Sequence, residues 1–146
     1  MDHFYDTAKR MYKSTKTLHN NGEYHNACYL AGYIIECYAK IIVGTYHGYN
    51  HGQIKSLFSH RVFGTNPSIS LNPNIIQYIL QDPQYAQYGR NLNVEFSHLV
   101  NWDPYKRYIE QSGEWNNINS QNIQNQIPLA MQILAQMSTN LSSNLI

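Results

Sequence analysis

The sequence predicts an all-α fold, a single four- to five-helix up-and-down bundle that spans residues 1–146. In three long segments, apolar residues recur at spacings of three and four, which places them on one face of a helix. No segment shows the alternation of apolar and polar residues that is typical of a strand. With 146 residues, 42% of them hydrophobic, the chain has enough apolar side chains for one core but is too short for two.

The first helix is predicted over residues 2–19 and ends at Asn20-Asn21-Gly22, residue types that tolerate the left-handed conformation found at helix ends. Its apolar face consists of Phe4, Ala8, Met11, Thr15 and Leu18. Its basic residues, which lie mostly off that face, are Lys9, Arg10, Lys13 and Lys16. Such a cluster is usually a solvated face, and the alternative interpretation is a contact with an RNA backbone.

The second helix is predicted over residues 23–45 and is apolar almost all the way round, which indicates a central helix buried by its neighbours. One narrow stripe of this helix is polar and aromatic, and it contains Tyr29, Tyr33, Glu36 and Lys40. At about 100° per residue, these four side chains fall within roughly 60° of one another. Glu36 stands four residues before Lys40, which is the favourable order for an ion pair.

The middle of the chain is predicted to consist of short helices and loops. Three glycines in nine residues indicate a loop over 44–52, and residues 61–73 are predicted to be irregular. Short helices are predicted at 53–58, at 74–81 and after Asp103-Pro104, a pair that is typical of a helix start. The pattern assigns no structure to residues 84–101.

The last helix is predicted over about residues 120–140, with a regular seam for packing or dimerisation formed by Ile123, Ile127, Ala130, Leu134, Met137 and Leu141. Pro128 interrupts this seam, so the helix either begins near Ile127 or kinks at the proline. Residues 115–146 contain no Asp, Glu, Lys or Arg, and the polar face of the helix is therefore made of uncharged Gln, Asn and Ser. Such a face can be solvated, or a partner can cover it.

The composition excludes several classes of protein. Ten basic and nine acidic residues give a net charge of +1, which excludes binding to nucleic acids or membranes through bulk charge but allows a local basic patch. Residues 27–43, the most apolar stretch, contain Glu36 and Lys40 and are predicted to be too short and too charged to span a bilayer. Since no targeting segment is visible, we expect a soluble cytoplasmic protein without membrane contact. Cys28 and Cys37 are predicted on opposite faces of one helix, as two buried free thiols.

Three segments together resemble the HEPN superfamily of small prokaryotic helical domains. Residues 26–40, NACYLAGYIIECYAK, are similar to the family's Ala-rich helix with a Glu four residues before a Lys. Residues 51–58, HGQIKSLF, resemble its short H-x-L-x-x-L helix. Residues 102–108, WDPYKRY, resemble the W…RY segment that precedes a long final helix in some branches.

The resemblance implies a mostly up-and-down bundle that forms a homodimer. Many HEPN proteins accompany nucleotidyltransferases in toxin–antitoxin and phage-defence loci, which implies such a partner, or another defence-system protein, for this chain. A large subset are metal-independent RNases whose signature is an Arg, four to six further residues and then a His. In that reaction a His acts as general base or acid at the ribose 2′-OH, while an Arg clamps the scissile phosphate.

The nearest match to this signature is formed by Arg90 and His98, which have seven residues between them instead of four to six. On a helix this spacing gives an offset of about 80°, so the two side chains could share a face. The glycine before Arg90 and the asparagines after it do not favour a helix. The two interpretations are an RNase site with an expanded spacing, and a loop arginine with a partly buried histidine.

The candidate residues for binding nucleotide or RNA are Tyr29, Tyr33, Glu36, Lys40, His51 and Arg107. The stripe on the second helix suits a groove at a dimer interface, since tyrosines stack on bases and a lysine pairs with phosphate; the alternative is a buried ion pair. His51 either belongs to an adaptable binding loop or caps the next helix, and Arg107 either binds phosphate or pairs with a glutamate. His47 and His51 are four residues apart, as zinc ligands on a helix are, but they lie in a predicted loop without a nearby carboxylate or thiol. We therefore expect neither a metal nor another cofactor.

Three hypotheses follow. The first is a homodimeric HEPN-like module that binds nucleotide, RNA or a partner protein without cleaving RNA. The second is an RNase of the same fold that uses Arg90 and His98, and both of these predict a positive groove near Lys40 and Arg107. The third is a purely structural dimer, which predicts a large apolar patch along Ile127, Leu134 and Met137.

Overall fold

The computed structural model of the protein describes residues 3–57, 73–89, 95–99, 102, 113 and 115–146. Within these ranges there are five α-helices, one short 3-10 helix and no strand, which confirms the predicted all-α class. The helices are α1 (Phe4–Asn20), α2 (Tyr24–His47), α3 (His51–Leu57), α4 (Pro73–Ile79) and α5 (Asn117–Asn140), and the 3-10 helix is Ala86–Tyr88. The helix predicted after Asp103 and the irregular segment predicted before Pro73 lie outside the described residues.

The three long helices form the core of the bundle, with α1 antiparallel to α2 and to α5. The backbone N–H of Phe4, at the start of α1, donates to the carbonyl of Leu145, 3.0 Å away and just beyond the end of α5. At the opposite end of α1, His19 contacts Ser120 in the first turn of α5. A tight turn at Gly22, whose φ is +79°, reverses the chain from α1 into α2. The predicted bundle of these three helices is therefore confirmed.

Helix α2 is the central element, because α1, α4 and α5 all pack against it. Every residue from Ile34 to Gly44 is buried. By length and hydropathy alone α2 could cross a membrane, so the sequence argument that this segment is too short was wrong. However, 78% of its most apolar window is buried inside the protein, which is typical of a core helix.

The loop predicted over 44–52 begins later than expected, because α2 continues through Gly44 and ends only at His47. A Cβ atom on Gly44 would lie 2.3 Å from a methyl carbon of Leu145. This glycine therefore permits close packing and does not break the helix. The residue that ends α2 is Gly48, whose φ of +69° is the left-handed conformation common after a helix.

Helix α5 begins three residues earlier than predicted, because the side chain of Asn116 accepts a backbone N–H from the first turn and caps the helix. The helix is continuous through Pro128, which excludes a start near Ile127. The fully buried residues of its seam include Ile127, Leu134 and Met137. The seam therefore packs into the chain's own core, and these residues do not form an apolar surface patch.

The shorter helices α3 and α4 begin within two residues of the predicted positions. Ile76 and Ile79 of α4 are buried against α2. The hydroxyl of Tyr38 on α2 donates to the carbonyl of Tyr88 in the 3-10 helix, at 3.0 Å. This contact fixes part of 84–101, the segment to which the sequence pattern assigned no structure.

Cys28 and Cys37 are both free and buried, which confirms the expectation from their spacing. Burial raises the pKa of the Cys28 thiol to about 11 and that of the Cys37 thiol to about 12. Since the thiolate is the reactive form of cysteine, both side chains are poor nucleophiles at neutral pH.

Candidate functional site

The residues predicted to carry RNase chemistry are only partly within the described chain. Arg90 and Arg107 lie outside it, so the pairing of Arg90 with His98 stays a prediction. His98 is exposed and lies in a single turn at 95–99. Its backbone N–H donates to the side-chain oxygen of Gln126 on α5, at 3.1 Å, which anchors this turn against the last helix.

Tyr29 and Tyr33 form the aromatic half of the stripe on α2. Their hydroxyl oxygens are hydrogen-bonded at 2.6 Å, and their rings meet edge to face with centres 5.4 Å apart. Trp102 packs with its ring centre 5.2 Å from that of Tyr33, directly over Gly32, where a Cβ would collide with the indole. The ring centre of Trp115 lies 6.4 Å from that of Tyr29. Both tryptophans are buried, whereas both tyrosines are half-buried and remain partly accessible.

Glu36 and Lys40 form the charged half of the stripe, and both are buried. The Lys40 ammonium is ion-paired with the Glu36 carboxylate, and the two side chains are only 11% and 5% exposed. The ammonium also lies 5.8 Å from the centre of the Phe4 ring on α1. Removal of either partner would leave an uncompensated charge in the interior. Lys40 therefore supplies no open positive charge to a surface groove.

His51 connects the C-terminal segment to the bundle. Its Nε2 atom is 2.9 Å from the carbonyl oxygen of Asn144, and its ring centre lies 5.4 Å from that of Phe4 and 6.2 Å from that of His3. The starts of α1 and α3 are thereby joined to the chain that follows α5. In the part of the chain that the structure describes, no three His, Cys, Asp or Glu side chains are grouped so that they could hold a metal ion.

A groove of about 610 Å³ lies between α1 and α2. The groove is lined by Arg10, Lys13, Ser14, Thr17 and Leu18 of α1 and by Leu30 of α2. Leu30 stands three residues before Tyr33, and residues at this spacing are neighbours on a helix surface. The groove therefore adjoins the aromatic half of the stripe and combines apolar side chains with two cationic ones.

A smaller hollow, of about 190 Å³, lies between α1 and α5. The hollow is lined by Tyr12, Lys16, His19 and Asn20 of α1 and by Gln121, Gln124 and Asn125 of α5. Each α1 residue of the hollow stands two positions after an α1 residue of the groove. Two positions correspond to a rotation of about 200° around the helix. The two depressions therefore lie on opposite sides of α1. Sequence patterns cannot reveal this hollow, because its two walls are about a hundred residues apart in the chain.

A chain of hydrogen bonds organises the hollow. Nδ1 of His19 is 2.8 Å from the Ser120 hydroxyl, and its Nε2 is 3.0 Å from Oε1 of Gln121. Gln121 in turn donates from Nε2 to Oδ1 of Asn125, at 2.9 Å. A serine, a histidine and an amide in this order resemble a nucleophile with its base and orienting group. Ser120 is fully buried, however, so its hydroxyl cannot meet a substrate and the arrangement is structural.

The edge of α1 that faces solvent separates the groove from the hollow, and we call it the basic edge: Lys9, Lys13 and Lys16. All three side chains are exposed. Lys9 is ion-paired with Asp6 at 2.7 Å, and their hydrogen bond raises the pKa of the lysine and lowers the pKa of the aspartate. Lys13 and Lys16 have no ion pair with any described residue. Their charges therefore remain available to a ligand.

Comparison with protein-family models, with curated proteins and with solved structures finds no match for this chain. The HEPN resemblance therefore rests on the sequence motifs alone. The basic edge of α1 has a groove with apolar and cationic side chains on one side and a polar hollow on the other.

Proposed function

We propose that this protein is a single-stranded RNA-binding module that holds RNA along α1 without cleaving it. The observation that carries the proposal is the position of the basic edge, where Lys13 borders the groove and Lys16 borders the hollow. Proteins that bind single strands combine cationic side chains, which follow the phosphates, with aromatic rings on which bases stack. Helix α1 and the adjoining stripe of α2 supply both.

The positive charge is local, which reconciles RNA binding with a net charge of only +1. Helix α1 carries four basic residues, Lys9, Arg10, Lys13 and Lys16, against a single acidic one, Asp6. Helix α5, the far wall of the hollow, has no charged residue at all. A polyanion is therefore attracted to α1 in particular, and the attraction falls as salt is added.

The stacking surface is provided by Tyr29 and Tyr33. Both rings are partly accessible and rest on the buried rings of Trp102 and Trp115. Because this backing and the bond between the hydroxyls hold the tyrosines in place, a base that stacks on them loses little free energy in ordering the side chains. Stacking of one base contributes about 1–3 kcal/mol in proteins of this type.

The resemblance to HEPN domains supports the same class of ligand. It adds three elements to the proposal: a homodimer, a cytoplasmic location, and a nucleotidyltransferase or another protein of a toxin–antitoxin or defence system as partner. The outer face of α5 is uncharged and includes exposed Gln132 and Gln136. In the proposed arrangement this face is the one left for the protein partner, since RNA occupies α1.

The test is fluorescence anisotropy with a labelled single-stranded RNA of about twelve nucleotides, repeated over a range of salt concentrations. Changing Lys13→Gln and Lys16→Gln together removes about two phosphate contacts. We expect weaker binding to every sequence, and the slope of log Kd against log salt should fall by about 1.4, since each contact contributes about 0.7 for a single strand.

The matched control carries Gln77→Glu and Gln81→Glu, which change the net charge by the same amount at exposed positions in and just after α4. Helix α4 packs against α2, and the control should bind RNA almost as well as the wild type. If the control loses as much affinity as the lysine variant, binding depends on net charge and not on α1. Wild-type protein that binds no RNA at all would refute the proposed function.

A further inference from the structure

We infer that the groove between α1 and α2 is a docking site for an acidic amphipathic helix of a partner protein, and that this helix excludes RNA from α1. The docking site rests on the shape and charge of the groove, whereas the exclusion of RNA rests on the proposed function. The groove has a volume of about 610 Å³, compared with about 190 Å³ for the hollow, so it has room for several side chains of a partner.

The groove runs along two antiparallel helices, which is a geometry that can receive a third helix. The side chains of an added helix pack into the furrow between two others, as ridges into grooves. Helix α5 already packs against α1 and α2 in this way, on the side of the hollow. Since the groove lies on the opposite side of α1, it is a second position at which a helix can pack against the same pair.

The floor of the groove is apolar and is formed by Leu18 of α1 and Leu30 of α2, both half-buried. The hydrogen bond from the Thr15 hydroxyl to the Ala27 carbonyl sets the register of the two helices. In that register Leu30 lies level with about residue 12, so Leu18 is about 9 Å further along α1. Helices that dock in grooves carry apolar residues at i, i+3 or i+4 and i+7, which cover about 10 Å and can reach both leucines.

The rim of the groove is positive. Arg10 and Lys13 line it, and no described residue that lines it is acidic. Asp6, the single acidic residue of α1, is paired with Lys9. A cationic rim around a floor of leucines complements a helix whose apolar face is flanked by Glu or Asp, and the opposite charges also steer its approach. Leucines suit aliphatic side chains, whereas bases stack on aromatic rings, so the floor itself favours a peptide over a nucleotide.

Lys13 belongs both to this rim and to the basic edge, to which the proposed function assigns the RNA phosphates. Carboxylates beside Lys13 neutralise its charge and repel phosphates. A helix docked in the groove therefore excludes RNA from this part of α1, whereas a partner on the outer face of α5 leaves α1 accessible. The groove is thus a position from which a partner protein controls RNA binding.

The test uses a fluorescein-labelled peptide of about sixteen residues, blocked at both ends, with leucines at i, i+4 and i+7 and glutamates beside them. The control peptide has the same composition in an order that scatters the leucines around the helix. Fluorescence anisotropy at about 0.15 M salt measures the binding of both peptides. We expect the control peptide to bind about tenfold more weakly, because it has the same charge but no apolar face.

Lys13→Gln and Lys16→Gln are matched variants, because each removes one exposed charge from α1 but only Lys13 lines the groove. Lys13→Gln should weaken peptide binding about fivefold, and Lys16→Gln should leave it within about twofold of the wild type. Leu30→Ala removes part of the floor and should weaken binding about tenfold. Leu129→Ala, the same substitution at a half-buried leucine of α5, should leave peptide binding unchanged.

Equal losses in the two lysine variants, a control peptide that binds as well as the probe, or a folded wild type that binds no peptide would each overturn the docking site. Unlabelled peptide should also displace a labelled single-stranded RNA from the wild type, and a complex that holds both overturns the exclusion of RNA. If the wild type binds the peptide but no RNA, the proposed function fails and the docking site stands.

Discussion

The hydroxyl of Thr15 donates to the backbone carbonyl of Ala27 at 2.6 Å and thereby joins α1 to α2 within the core. The same oxygen accepts from Gln124 of α5, at 2.9 Å. All three long helices thus meet at one side-chain oxygen that has no exposed surface. Replacing this hydroxyl affects the packing of the whole bundle and not of one helix pair.

We expect Thr15→Val, which keeps the shape of the side chain but removes the hydroxyl, to lower the free energy of unfolding by about 1–3 kcal/mol. Urea denaturation measures this change. The control is Thr17→Val, because the Thr17 hydroxyl is exposed and only donates to Lys13 within its own helix. That control should stay within about 0.5 kcal/mol of the wild type. An equal loss in both variants would mean that the contact between the three helices adds nothing.

Because Glu36 and Lys40 form a buried ion pair, we expect the effects of substituting them on the free energy of unfolding to be strongly coupled. Lys40→Met or Glu36→Gln alone leaves one charge in the interior, and each should cost about 3–5 kcal/mol. The double variant removes both charges, so it should be more stable than either single variant. Urea denaturation of the four proteins measures the coupling as a double-mutant cycle. Losses that simply add would show that the two charges do not stabilise each other.

Gly32 lies beneath Trp102, where a Cβ would come within 2.0 Å of the indole. We expect Gly32→Ala to displace the tryptophan, to shift its fluorescence to longer wavelength and to cost about 1–3 kcal/mol, although alanine is the better helix former. The control is Gly113→Ala, since a Cβ at Gly113 would meet no atom within 4 Å. Unchanged stability and fluorescence in Gly32→Ala would contradict the packing described for Trp102.

Burial of Cys37 predicts a loss of stability at alkaline pH. Its thiol has a pKa of about 12 in the folded protein, compared with an ordinary value of 9.0. Between these two pH values the unfolded chain loses a proton that the folded chain keeps. The contribution of this thiol to the free energy of unfolding is therefore fully present below about pH 9 and is lost as the pH rises. At about pH 10.5 the loss from this thiol is about 2 kcal/mol.

The variant Cys37→Ala isolates this contribution. It should be less stable than the wild type at pH 7, because it leaves a small cavity, but its stability should fall less steeply between pH 8 and 10.5. Burial also raises the pKa of Tyr38, and that contribution is common to both proteins. Parallel curves of unfolding free energy against pH would show that the Cys37 thiol ionises equally in both states.

The sequence predicts the long helices well because their apolar spacing reflects burial directly. Angular positions along the helix also predict the stripe on α2, but they do not predict its surroundings. That Phe4 covers Lys40, and that Trp102 covers Gly32, are contacts between distant parts of the chain. Periodicity in one helix contains no information about such contacts.

Two further features of the structure could not be predicted from the sequence, because they too depend on contacts between distant parts of the chain. Gly44 and Gly48 are the same residue type four positions apart, yet one permits a close contact inside α2 and the other ends the helix. The hollow forms where His19 contacts Ser120 and Gln121. None of these three residues belongs to a recognisable sequence pattern. Their chemistry appears only when α1 and α5 lie side by side.

Because α5 carries no charge, salt should affect its contacts with a ligand differently from those of α1. The two walls of the hollow differ: the α1 wall contains Lys16, and the α5 wall consists of neutral amides. Ionic strength acts on the first wall and leaves hydrogen bonds to the second almost unchanged. Raising the salt concentration should therefore weaken the contact of an RNA phosphate with α1 while hydrogen bonds to the α5 amides persist, so a salt titration separates the contributions of the two walls.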